Sequence, residues 1–82
     1  MNLIGEIENL IREKIEKAGY EFKKVEIKQR GSTKELIITI DKEGGVSAED
    51  CAKVSKLIDP LIEKGGLIKG RYFLIVSSPG VQ

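Results

Sequence analysis

Glu35-Leu36-Ile37-Ile38-Thr39-Ile40-Asp41, continued by Lys42-Glu43-Gly44-Gly45-Val46-Ser47-Ala48-Glu49-Asp50, is the stretch on which the fold turns. In its first part Leu36, Ile38 and Ile40 share one parity, and Ile37 and Thr39 share the other. A period of two predicts a strand over Glu35 to Asp41. Asp41 to Gly45 then reads as a turn. Ser47 fits a helix N-cap, and Glu49 and Asp50 fall in the first turn, where carboxylates complement the helix dipole. From here the apolar spacing becomes helical. Ala48, Cys51, Ala52, Val54, Ser55, Ile58, Leu61 and Ile62 form a broad stripe expected to be buried. Pro60 interrupts it. Either the helix ends near Ile58 and restarts with Asp59 as cap and Pro60 at the first helical position, or it kinks there.

Upstream, Tyr20 to Gln29 predicts another strand. Val25 and Ile27 alternate with Lys24, Glu26 and Lys28, but Tyr20 and Phe22 have the opposite parity. A bulge or entry bend near Lys23 and Lys24 reconciles the two. Arg30-Gly31-Ser32-Thr33-Lys34 reads as the hairpin loop between the strands. Before them lies an amphipathic helix whose apolar stripe is Leu3, Ile4, Ile7, Leu10, Ile11, Ile15 and Ala18. Glu8 with Arg12 and Glu13 with Lys17 are i,i+4 pairs in the favourable order. Gly19 stops that helix, because glycine enters the left-handed C′ conformation without steric cost.

Downstream, Gly65, Gly66 and Gly70 suggest a loose connection to a last strand, Arg71 to Val76. There Tyr72, Leu74 and Val76 face one way, and Phe73 and Ile75 the other. The order helix, strand, strand, helix, strand predicts an α+β, two-layer sandwich with both helices on one face of a three-stranded sheet. Ile37, Thr39, Phe73 and Ile75 should then lie on the helix-free face beside Lys24, Glu26 and Lys28. Apolar side chains grouped on a sheet face in a small domain suggest docking, and scattered surface hydrophobes are the plain alternative.

At 82 residues the chain is expected to be one domain, 1–82. It has no histidine, a single cysteine (Cys51) and no cluster of Cys, His or carboxylates at metal-ligand spacing. Ser77 and Ser78 lack a histidine base, and Cys51 lies on a buried helical stripe as a packing thiol. The chain is therefore expected to be no enzyme, and no cofactor or metal is implied. Gly44-Gly45 before a helix could suggest an anion site, but Glu43, Glu49 and Asp50 surround that terminus and would repel a phosphate. Met1 to Leu10 carries Glu6 and Glu8 and no uninterrupted apolar run, which argues against a leader peptide or membrane anchor.

The formal charge is +1, so a nucleic-acid surface would have to be local. One exists. Lys23, Lys24, Lys28, Arg30 and Lys34 stand against Glu26 alone, whereas Lys42 stands against Asp41, Glu43, Glu49 and Asp50. A basic hairpin of this kind could follow an RNA backbone, which makes Lys24, Lys28, Arg30 and Lys34 candidate rRNA contacts. The alternative is a solvated edge whose lysines deter strand-to-strand association. No stacking aromatic accompanies these charges.

Three stretches together carry a resemblance: Ala18-Gly19-Tyr20-Glu21-Phe22; Ile40-Asp41-Lys42-Glu43-Gly44-Gly45-Val46-Ser47 with Glu49-Asp50-Cys51 and Val54-Ser55; and Tyr72-Phe73-Leu74-Ile75-Val76-Ser77-Ser78-Pro79-Gly80. The chain resembles the N-terminal domain of the bacterial ribosome maturation factor family RimP. That resemblance implies a fold similar to a type II KH domain, although Gly66 and Gly70 are one residue too far apart for a KH GxxG clamp. It also implies a cytoplasmic, non-catalytic assembly factor that binds the maturing small ribosomal subunit. The implied partners are a small-subunit ribosomal protein and rRNA, with no membrane. The family joins this domain to a C-terminal Sm-like barrel through a Leu-x-Arg-Pro-Leu stretch after Ser-Ser-Pro-Gly. This sequence has Val81-Gln82 there, so the barrel is expected to be absent. Ile37, Phe73, Ile75, Ser77, Ser78, Pro79 and Gly80 are the candidate docking residues for a partner or for that barrel. The family commonly has an acidic residue where Ile75 stands, so the open face is more apolar here. A general RNA-binding KH-like module and a self-associating domain are the competing expectations.

Overall fold

The computed structural model describes residues 2–79. Its elements are α1 (Leu3–Lys17), β1 (Glu21–Arg30), β2 (Thr33–Asp41), α2 (Ala48–Gly65) and β3 (Tyr72–Ser77). The sheet order is β1-β2-β3, with β1 antiparallel and β3 parallel to β2. α1 packs on β1, α2 on β3, and the helices pack against each other. This is the α+β, two-layer arrangement that the periodicities predict, with both helices on one face.

The core follows from one parity of β2. Leu36, Ile38 and Ile40 are fully buried against Ile7, Ile11 and Ile15 of α1 and Val54, Ile58 and Ile62 of α2. Each helix therefore presents a narrow row at i, i+4, i+8. The broad stripes expected from sequence shrink accordingly: Ala18, Ala48 and Ala52 are exposed, and Ile4 keeps 37% of its surface in water. The reason is geometric, because a single three-stranded sheet cannot cover more than one side of each helix.

The bulge lies where the parity break puts it. Phe22 pairs with Ile40 and Lys24 with Thr39, leaving Lys23 as the extra residue. That insertion brings Phe22 and Val25 to the same, helix-bearing face. The hairpin is tighter than expected. Arg30 pairs with Thr33, so only Gly31-Ser32 connect the strands and Lys34 belongs to β2. Gly31 takes the positive φ, +58°, that a two-residue connection asks of its first central position.

At Pro60 the helix does not end and restart. α2 is continuous from Ala48 to Gly65. Pro60 and Lys56, the residue whose carbonyl loses its donor, are both exposed, so water can take that carbonyl's bond. The connection after α2 is also less loose than its glycines suggest. Gly66 is the left-handed C-cap, at φ +60°, and its N–H donates to the Glu63 and Ile62 carbonyls.

Candidate functional site

The register assembles the face without helices from cross-strand rows. Lys24, Thr39 and Ser77 form one row, and Glu26, Ile37 and Ile75 the next. Lys28, Glu35 and Phe73 form a third, and Arg30 stands beside Thr33 at the hairpin end. The face is thus charged along β1 and apolar along β3. Phe73 is 63% exposed and Ile75 38%, the two most accessible large apolar residues among the described residues, whereas Ile37 is half-buried between its neighbours and Thr39 is buried. The face expected from alternation is present, and the central strand is its best-covered part.

The four candidate rRNA contacts do not share that face. Lys24, Lys28 and Arg30 do. Lys34 pairs with Gln29 and Tyr72, whose parity is that of the helix-bearing side. The basic count also overstates the free charge. Lys23 pairs with Glu21 at 3.4 Å, Lys24 with Glu26 at 3.7 Å, and Arg30 Nε with Glu35 at 3.2 Å. Glu35 lies outside the window in which the cations cluster but folds back against it. Apart from the half-buried Glu35 these side chains are exposed, so the pairs contribute little stability, yet they lower the local potential.

Among the docking residues, Ser77 faces Thr39 in the parallel ladder, Ser78 is half-buried and Pro79 is exposed. Gly80 lies outside the described residues.

Sequence reasoning missed a polar cluster beneath the α2 N-terminus. Ser47 and Asp50 form a capping box: the Asp50 N–H donates to Ser47 Oγ (3.1 Å), and the Ser47 N–H donates to Asp50 Oδ2 (2.9 Å). The Tyr20 hydroxyl donates to Asp50 Oδ1 at 2.7 Å, and Lys42 Nζ lies 3.2 Å from Oδ2 and 5.4 Å from the Tyr20 ring centre. The Ser47 backbone bond, then the Tyr20 and Lys42 side chains, hold the Asp50 carboxyl well below the usual carboxylate range. The same hydrogen bond, followed by burial, pushes the Tyr20 hydroxyl up to about 12. Both carboxylate oxygens of Asp50 are engaged, so the group is a structural latch and a poor proton acceptor. The cluster also closes the helix terminus to an anion, in line with the acidic surroundings read from the sequence.

Elsewhere, Tyr72 donates to Asp59 at 3.2 Å, and burial followed by that carboxylate raises its hydroxyl to about 12. Burial, with Asp50 nearby, also raises the Cys51 thiol, as expected for a packing cysteine. Among the described residues no group of three or more His, Cys, Asp or Glu could hold a metal ion. No helix there is long and apolar enough to cross a membrane.

With this geometry in place, a comparison with family models identifies a match. Residues 10–82 fit the model described as the RimP N-terminal domain, a span that includes both strands of the hairpin, α2, β3 and the whole open face.

Proposed function

The chain belongs to the RimP N-terminal domain family and is therefore a ribosome maturation factor domain, and we propose that it acts by binding the maturing small ribosomal subunit, in the cytoplasm and without catalysing a reaction. The observation that carries this reading is the open face, where Ile37, Ile75 and Phe73 stand beside Lys28 and Arg30 in adjoining rows. Such a face is divided by chemistry. Its β3 half suits an apolar surface of a small-subunit ribosomal protein, and its β1 half suits rRNA phosphates or acidic side chains. Binding through both halves needs positioned side chains only.

The ion pairs along β1 weigh against a general RNA-binding module. With Lys23, Lys24 and Arg30 each beside a glutamate, few cations remain to release counterions.

Co-sedimentation with immature small subunits at low and moderate salt tests the reading. The chain should pellet with the particles. Phe73→Ala/Ile75→Ala should weaken binding about tenfold or more at both salts, a loss of ~1.4 kcal/mol. Lys28→Ala/Arg30→Ala should weaken it mainly at low salt and flatten the salt dependence by at most about two charges. No pelleting at low salt would overturn the proposal. Sensitivity to the basic pair alone would favour the general RNA-binding module instead.

A further inference from the structure

The two outer edges of the sheet are built differently. β1 carries Lys23, Lys24, Lys28 and Arg30 and a bulge between Phe22 and Lys24, the usual devices that deter a further strand. β3, Tyr72-Phe73-Leu74-Ile75-Val76-Ser77, carries no charge, no proline and no register break.

Its backbone is available in a defined phase. The Lys34 N–H donates to the Arg71 carbonyl at 3.2 Å, so the peptide groups of Arg71, Phe73 and Ile75 turn toward β2. Those of Tyr72, Leu74 and Val76 then point away from the sheet. Among the described residues no backbone bond reaches them from outside the sheet. Side-chain cover is incomplete on the same edge. Leu36 and Ile38 on β2 are fully buried, but Leu74 and Val76, their neighbours in the same rows, remain half-exposed. On β1 the corresponding positions are mixed, with Val25 buried and Phe22 and Ile27 half-buried, whereas on β3 neither Leu74 nor Val76 is fully covered.

We propose that β3 pairs with β3 of a second copy of this chain, antiparallel about Leu74, to make a continuous six-stranded sheet. The strand fits itself. A two-fold axis through Leu74, perpendicular to the sheet, sets Tyr72 opposite Val76 of the second copy and Phe73 opposite Ile75 of the second copy. The N–H and C=O groups of Tyr72, Leu74 and Val76 then exchange bonds as hydrogen-bonded pairs. Phe73 and Ile75 become aromatic–β-branched cross-strand pairs on the open face, and Leu74 meets its own copy on the helix side. A neutral strand brings no like charges together, whereas the β1 edge would oppose lysines to lysines. The helix layers stay on one side and the open faces join on the other. Six residues form a small interface, so the dimer is weak and concentration-dependent.

Sedimentation equilibrium on the chain alone, from roughly micromolar to millimolar concentration, tests this separately from subunit binding. The mass should rise from 9.1 kDa toward twice that value. Phe73→Lys and Ile75→Lys alter exposed side chains and should each keep the fold by circular dichroism while holding the mass at the monomer value. Amide exchange supplies a second readout. The Tyr72, Leu74 and Val76 amides should slow as concentration rises, and those of Phe73 and Ile75, already bonded to β2, should not. A mass of 9.1 kDa at every concentration overturns the proposal, as does an association that both lysine variants leave intact.

Discussion

Asp50 caps α2 and, through Tyr20, ties the helix to the segment leading into β1, 30 residues earlier in the chain. The two titrations set a stability window with a defined sign. Asp50 is held low, so its contribution is present above about pH 4 and is lost as pH falls below that. Tyr20 is held high, so its contribution is present below about pH 10 and is lost as pH rises through about 12. Asp50→Asn should lower the thermal midpoint at neutral pH and flatten the acid limb of its pH profile. Tyr20→Phe should reduce the alkaline limb without abolishing it, because Tyr72 titrates in the same range. An acid limb unchanged in Asp50→Asn would mean that the latch contributes nothing. Ser47→Ala, which removes the cap itself, should cost about 1 kcal/mol. The Ser47 and Asp50 signals were legible in the sequence as helix-start residues. The Tyr20 contact was not, since nothing in local periodicity links positions 20 and 50.

At the scale of elements, alternation carried most of the fold. The parity conflict between Phe22 and Val25 located the bulge, and the two parities of β2 separated Leu36, Ile38 and Ile40 from Ile37 and Thr39. What failed was sequence proximity as a guide to a shared surface. Lys34 lies among the hairpin cations in the chain, but one residue of parity sends it to the other face. Glu35 lay just beyond the basic window, yet it neutralises Arg30. Of the two readings open at Pro60, the helix runs on through it: a helix-breaking side chain on the solvent side can be tolerated when Ile58 and Ile62 bury fully on either side of it. Pro60→Ala should restore a bond to the Lys56 carbonyl and stabilise the domain by about 1–3 kcal/mol, read as a raised urea midpoint with an unchanged slope. A loss of stability would show that the fixed proline φ contributes more than the missing bond.

For the whole molecule, the helix layer and the sheet divide the work. Ile7, Ile11, Ile15, Ile58 and Ile62 join the layers from the inside, while the opposite face of the same sheet stays uncovered and carries Ile37, Ile75 and Phe73. In the function proposed above, this open face, and not the helix layer, meets the maturing small subunit. Isoleucines happen to sample both sides, so saturation transfer from unlabelled immature small subunits to the isoleucine methyl groups of the labelled chain tests the claim directly. Strong attenuation is expected at Ile37 and Ile75, with the core methyls of Ile7, Ile11, Ile15, Ile58 and Ile62 spared. Attenuation centred on Ile4, the accessible isoleucine of α1, with Ile37 and Ile75 unaffected, would contradict it.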